Sequence, residues 1–124
     1  MGRKDILKYN IIPTQSGAAT FDTKSNPTCV DYLDNCSLQI MWTGSLVGEI
    51  RIWVSNDKVT PSLGQTVTNW SRYEASTTMS VSGSYTDMLI NIAVIDFSFI
   101  AIEYVATSGT GNITANITGR MIGG

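Results

Sequence analysis

Hydrophobic and polar residues alternate one by one in several stretches of this 124-residue chain, and the alternation places strands before any other property is considered. The clearest run is FSFIAIEYVATSGTGNITANITGR, from Phe97 to Arg120. In its first half Ser98, Ile100, Ile102 and Tyr104 point one way and Phe99, Ala101, Glu103 and Val105 the other, because successive strand side chains take opposite faces. In its second half Ile113, Ala115 and Ile117 share a face, and Asn112, Thr114, Asn116 and Thr118 share the opposite one. That is the pattern of a sheet with one face on a core and one in water. Between the halves, Ser108-Gly109-Thr110-Gly111 tolerates positive φ, so the whole stretch reads as a β-hairpin.

A second hairpin is expected upstream. Leu38, Ile40 and Trp42 alternate with Gln39 and Met41, residues 43–48 reverse the chain, and Ile50, Ile52 and Val54 then alternate with outward Glu49, Arg51 and Trp53. Residues 87–94 put Met88, Ile90, Ile92 and Val94 on one face. Weaker strands are expected at residues 18–23, 68–75 and 77–81, and a strand or loop at 28–36, with breaks at Thr14-Gln15-Ser16-Gly17 and Lys24-Ser25-Asn26-Pro27. Residues 57–66, with Pro61 and Gly64, form the longest loop and a candidate contact surface. No stretch keeps a helical period. About seven to nine short strands at this turn spacing predict an all-β chain: a single antiparallel β-sandwich, jelly-roll or Ig-like, over residues 14–124. Residues 1–13 are set apart as an N-terminal arm or edge strand.

Composition narrows the function classes. The chain is 43% hydrophobic and only 15% charged, with a net charge of −2, so nothing in it suggests phosphate neutralisation or a polybasic membrane patch. The basic start, MGRKDILKYN, leads into no apolar stretch of signal-peptide length. The most apolar window, residues 88–102, is broken by Asn91, Asp96 and Ser98, so neither a secretion signal nor a membrane helix is expected. Gly2 invites N-myristoylation, but Ile6 stands where that motif wants Ser or Thr. The sequence has no histidine, which removes the usual general base and the commonest transition-metal ligand. Cys29 and Cys36 have six residues between them; they are expected as free thiols in the absence of a secretion signal, and too few for zinc. The Asn-x-Ser/Thr triplets at Asn35, Asn69, Asn112 and Asn116 are what an Asn-, Ser- and Thr-rich chain produces by chance.

Carboxylates are the remaining route to catalysis, through Asp31 with Asp34 or Glu49 with Glu103. Calcium would draw on Asp22, Asp31, Asp34 or Asp57, whose spacing fits no EF-hand loop. Solvated charges and turn caps account for these residues better. The expectation is therefore a non-enzymatic protein without cofactor or metal. Among the aromatics, Trp42 belongs with core-facing Leu38 and Ile40, whereas Trp53 shares the outward face of Glu49 and Arg51. An outward tryptophan favours an interface over simple packing, with a glycan platform behind both.

One ordered series of segments goes further: QIMWTG at 39–44, VG at 47–48, WVSND at 53–57, Trp70, SGSYT at 82–86, FIAIEY at 99–104 and TSGTG at 107–111. Over about residues 37 to 120 it resembles small β-sandwich virion proteins of tailed bacteriophages; Ala101 stands where that pattern carries arginine. The resemblance implies a capsid decoration or auxiliary protein that binds the major capsid protein or another virion protein, assembled in the host bacterial cytoplasm and homo-oligomeric, with a trimer as the guess. Its contacts would come from the N-terminal arm, through Arg3, Lys4, Ile6, Leu7, Tyr9 and Ile11, and from Trp53 and Arg51 on the sheet. The competing expectation is a carbohydrate-binding or host-adhesion module on the head, tail or fibre, using the loop at 57–66 and exposed aromatics.

Overall fold

The computed structural model describes residues 6–73, 80–82 and 86–121. They form ten strands in two antiparallel sheets: β1 (Ile6–Ser16), β2 (Phe21–Asp22), β3 (Thr28–Cys29), β4 (Leu33–Trp42), β5 (Val47–Ser55), β6 (Ser71–Tyr73), β7 (Ser80–Val81), β8 (Asp87–Ile92), β9 (Phe99–Ser108) and β10 (Asn112–Met121). One sheet is four-stranded in the order β1-β10-β4-β8. The other is six-stranded along β2-β9-β5-β6, with β3 also on β9 and β7 also on β5. The all-β sandwich expected from the alternation is the architecture found.

The two hairpins are not. β4 and β5 lie in different sheets, and so do β9 and β10. Instead β4 pairs with β10 in one sheet, from Ile113 opposite Trp42 to Arg120 opposite Asn35 without a slip. β5 pairs with β9 in the other, from Gly48 opposite Ala106 to Ser55 opposite Phe99. The centre of the molecule is thus one long antiparallel ribbon, folded across the core at residues 43–46 and 108–111. At this corner Thr43 N donates to Asn112 O and Ser45 N to Thr110 O, both at 2.9 Å. Asn112 N donates to Thr43 Oγ1 at 3.1 Å and Thr110 N to Ser45 Oγ at 3.2 Å. Alternation says which side of a strand faces the core. It does not say whether the next strand lies beside it or across from it, since both arrangements bury the same side chains.

Most of the expected inward positions are buried; Val54, Met88 and Ile90 are only half-buried, and Phe99 and Ala101, on the opposite face of β9, are buried as well. Leu38, Ile40, Ile50, Ile52, Ile100, Ile102, Ile113 and Ile117 have no exposed surface, and Trp42 keeps 3%, its indole N–H donating to Ser82 O at 3.0 Å. At 1.5–3 kcal/mol for each buried large apolar side chain, in rough terms, this layer is the main source of stability. Other expectations shift. The weak strand at 18–23 shrinks to Phe21–Asp22. Val94 lies past the end of β8 and is 71% exposed, because the strand stops at Ile92. Of the stretch at 77–81 only Ser80–Val81 falls within the described residues. β1 continues through Pro13 to Ser16 as an edge strand, a place where proline's missing N–H costs nothing. Its pairing with β10 slips between Tyr9 and Ile12 and again between Ile12 and Gln15. Such bulges re-aim side chains, and the adjacent Ile11 and Ile12 are both buried.

Candidate functional site

The outward face of the six-stranded sheet holds the charged residues singled out above. Glu49 and Arg51, two apart on β5, point the same way and form an ion pair, with Arg72 of β6 3.6 Å from the same carboxylate oxygen. The two cations hold the Glu49 carboxyl below its ordinary range, the Arg51 hydrogen bond first among the causes. Trp53 is half-buried on this face: its indole N–H donates to Glu103 Oε1 at 3.0 Å, and the Lys24 ammonium sits 3.7 Å from its ring centroid. A cation over an indole face is attracted by the ring quadrupole. Trp53 is therefore engaged within its own chain, joining the 22–27 turn to the sheet, with Ala101 opposite it fully buried.

The outward face of the four-stranded sheet is different. Gln39, Met41, Leu89, Asn91, Thr114 and Asn116 lie on its central part, and among the described residues its charges, Asp87, Arg120 and Lys8, lie towards its margins. Asn10 pins β1 there, its Nδ2 donating to Asn116 Oδ1 at 2.8 Å and to Ala115 O at 3.0 Å. Leu89 is 62% exposed and Tyr9 46%.

The loop after β5 is closed by one side chain. Asp57 Oδ2 accepts the backbone N–H groups of Thr68 at 2.8 Å and Asn69 at 3.0 Å, and Oδ1 accepts Asn69 Nδ2 at 2.8 Å. Those donors hold the Asp57 carboxyl below its ordinary value. Between this loop and the strand β3 lies a cleft of about 720 Å³, lined among others by Asp31, Lys58, Val59, Pro61 and Phe99. Cys29 opens onto it and donates from Sγ to Asp31 Oδ1 at 3.2 Å. Cys36 is buried in β4, and burial pushes its thiol up to about 11; both thiols are free.

Of the expected contact residues, Arg3 and Lys4 lie outside the described residues. Ile6 and Leu7 are the first positions of β1, opposite Arg120 and Gly119 of β10. Tyr9 is exposed, while Ile11 is buried in the chain's own core, turned inward beside the first bulge. Glu49 and Glu103 are near one another on an open sheet face, each held by a different partner. Among the described residues no three of His, Cys, Asp and Glu converge as a metal-binding group, and no helix is long and apolar enough to cross a membrane. The edge geometry of β8 and the Asp57 clamp were not found by reading the sequence. The first depends on which strand is outermost, and the second on contacts eleven and twelve residues away.

These features define a two-sheet β-sandwich whose broad outer faces and edges are its most developed surfaces. No protein-family model matches the chain, and no curated protein matches it. Among solved structures it is similar to the SPBc2 prophage-derived protein YomS, at 9% identity and a TM-score of 0.53, with 95% of this chain and 96% of that one covered. It also aligns with a chain from Bacillus endospore appendages, described as disulfide-linked pili, at 17% identity and a TM-score of 0.45 over 97% and 92% of the two chains. A third alignment, to VP2 of the infectious bursal disease virus subviral particle, has 10% identity and a TM-score of 0.32, covering 98% of this chain and 42% of that one. At such identities the first likeness speaks to the fold.

Proposed function

We propose that this chain is a non-enzymatic structural protein of a phage virion, most specifically a capsid decoration or auxiliary protein that lies on the major capsid protein lattice. The observation that carries the reading is the ordered series of segments from residue 39 to 111; QIMWTG, VG, WVSND, FIAIEY and TSGTG lie on β4, β5 and β9 or the turns that follow them, Trp70 lies in the loop before β6, and residues 83–85 lie outside the described residues. The full-length likeness of fold to a prophage-derived protein supports it. So does the outer face of the four-stranded sheet, whose amides and hydroxyls suit docking on a protein wall, where repeated weak contacts add through multivalency. The experiment is a quantitative mass-spectrometric count of this protein against the main shell subunit in purified particles of its phage. A stoichiometric or simple fractional ratio is the expected result. A few copies per particle would move the protein to the neck or tail, and its absence would remove the virion reading.

The cleft beside Asp31 and Lys58 favours a second reading, a host-glycan adhesion module on the same particle. Its volume suits a small ligand, and a carboxylate, an ammonium group and apolar walls suit a sugar's hydroxyls and ring faces. Glycan-array binding by the isolated protein, lost on Asp31→Ala, would support it.

A further inference from the structure

Sheet edges are templates for pairing, and native proteins blunt them with short strands, bulges, lysine or proline. Among the described residues, two of the edges are blunted. β1 carries Lys8, Pro13 and two register slips. One edge of the six-stranded sheet is made of two-residue pieces, β2 and β3; the other, β6 and β7, is interrupted by residues outside the described ones and is left out of the comparison. β8 differs from both: six residues, DMLINI, paired with β4 in unbroken register from Asp87 to Ile92, with no lysine, no proline and no bulge.

The hydrogen-bond phase shows what this edge offers. Trp42 N donates to Thr86 O at 2.9 Å, so Thr86 is in a hydrogen-bonded pair with β4, and by alternation Met88, Ile90 and Ile92 are too. The N–H and C=O groups of Asp87, Leu89 and Asn91 therefore point away from β4, and among the described residues nothing pairs with them. Met88 and Ile90 pack against the core yet are only partly buried, whereas their neighbours on β4, Leu38 and Ile40, are fully buried. A further strand beside β8 would answer both shortfalls.

We infer that β8 is a self-association edge, and that two copies of the chain pair β8 to β8, antiparallel about a two-fold axis at Leu89, to join two four-stranded sheets into one of eight. A second copy fits because the strand is self-complementary. Centred on Leu89, the pairing sets Leu89 against its symmetry mate, Met88 against Ile90, and Asp87, the strand's only charge, against the amide of Asn91. In this phase every outward-pointing N–H and C=O of Asp87, Leu89 and Asn91 meets a partner, and the half-exposed Met88 and Ile90 are covered. Opposed Cα atoms at such a centre lie roughly 5.5 Å apart, within reach of a disulfide. The inference concerns the chain itself and does not depend on its place in a virion.

The test uses the full chain with Cys29→Ser, which removes the exposed thiol, followed by sedimentation across a concentration series and by oxidative cross-linking. The expected results are a dimer, a dissociation constant raised about tenfold or more by Leu89→Lys with an unchanged circular-dichroism spectrum, and a covalent dimer from Leu89→Cys. Asn91→Cys should cross-link poorly, because its own mate is four positions along the partner strand, roughly 13 Å away. A monomer throughout, a trimer, an oligomer indifferent to Leu89→Lys, or equal cross-linking through Asn91→Cys would each overturn the proposal.

Discussion

β5 starts at the folded corner and ends at the 56–70 loop, and glycines at positive φ mark the turns at both ends. At the corner Gly44, Gly109 and Gly111 have φ of 76°, 86° and 152°; in the loop Gly64 has 83°. Their surroundings are opposite. A Cβ on Gly111 would stand 1.9 Å from Thr43 O, one on Gly109 2.0 Å from Ser45 O, and one on Gly44 2.3 Å from Thr110 O, while a Cβ on Gly64 meets nothing within 4 Å. The corner needs glycine twice over, for its dihedral and because a second chain segment passes against it. The loop needs it once. A turn residue's worth is thus set by what runs beside it, which residue type alone does not reveal.

The largest expected effect breaks the corner. Gly111→Ala must push two backbones apart where they exchange hydrogen bonds, and should cost about 3 kcal/mol or more, with a correspondingly large drop in the denaturation midpoint. A loss under about 1 kcal/mol would mean that the two arches are not packed as described.

This corner is also where the sequence stops being legible. Period-two alternation marked Leu38, Ile40 and Trp42, then Ile50, Ile52 and Val54, then Ile100, Ile102 and Tyr104, then Ile113, Ala115 and Ile117 as inward, and all of them but the half-buried Val54 are buried. What the alternation lacks is the partner of each strand. Residues 43–48 and 108–111 look like hairpin turns because glycine and hydroxyl residues serve a hairpin and an arch alike. The choice between them is made by long-range pairing, such as that of Ser45 with Thr110. The outward direction of Trp53 was likewise legible from Glu49 and Arg51. Its engagement by Glu103 and Lys24 was not, since those residues lie far along the chain in either direction.

The loop should respond more mildly. Gly64→Ala meets only the dihedral strain of a left-handed residue, about 1 kcal/mol, and chemical denaturation should show a loss of that order. A cost equal to that of Gly111→Ala would erase the distinction between the two turns.

A substitution just beneath the corner should act with the opposite sign. The Tyr104 ring lies against the backbone of Gly48, where an added Cβ would come within 2.6 Å of it, and its hydroxyl is buried without a hydrogen-bond partner among the described residues. Burial raises the phenol above its ordinary range. Tyr104→Phe keeps the ring and deletes an oxygen that loses water and gains nothing, so the variant should match the parent or exceed it by up to about 1 kcal/mol. A clear destabilisation would mean that the hydroxyl has a partner in solution.

The smallest global effect belongs to the clamp that holds the loop. Asp57→Ala removes the acceptor for the N–H groups of Thr68 and Asn69. Val67 is the single buried residue between 56 and 70, so the midpoint of global unfolding should hardly move. Amide exchange at Thr68 and Asn69, and proteolysis between 57 and 69, should instead rise sharply. The same contacts fix a pH dependence. The Asp57 carboxyl is depressed below its ordinary 3.8 in the folded chain, so its contribution is fully present above that value and is lost as pH falls through the lower, folded value. Protection of the two amides, corrected for intrinsic exchange, should thus hold through mildly acid pH and fail only below the ordinary carboxyl range. Protection that fades well above that range, or that survives Asp57→Ala, would mean that backbone packing closes the loop and that the corner and the loop are built on the same principle after all.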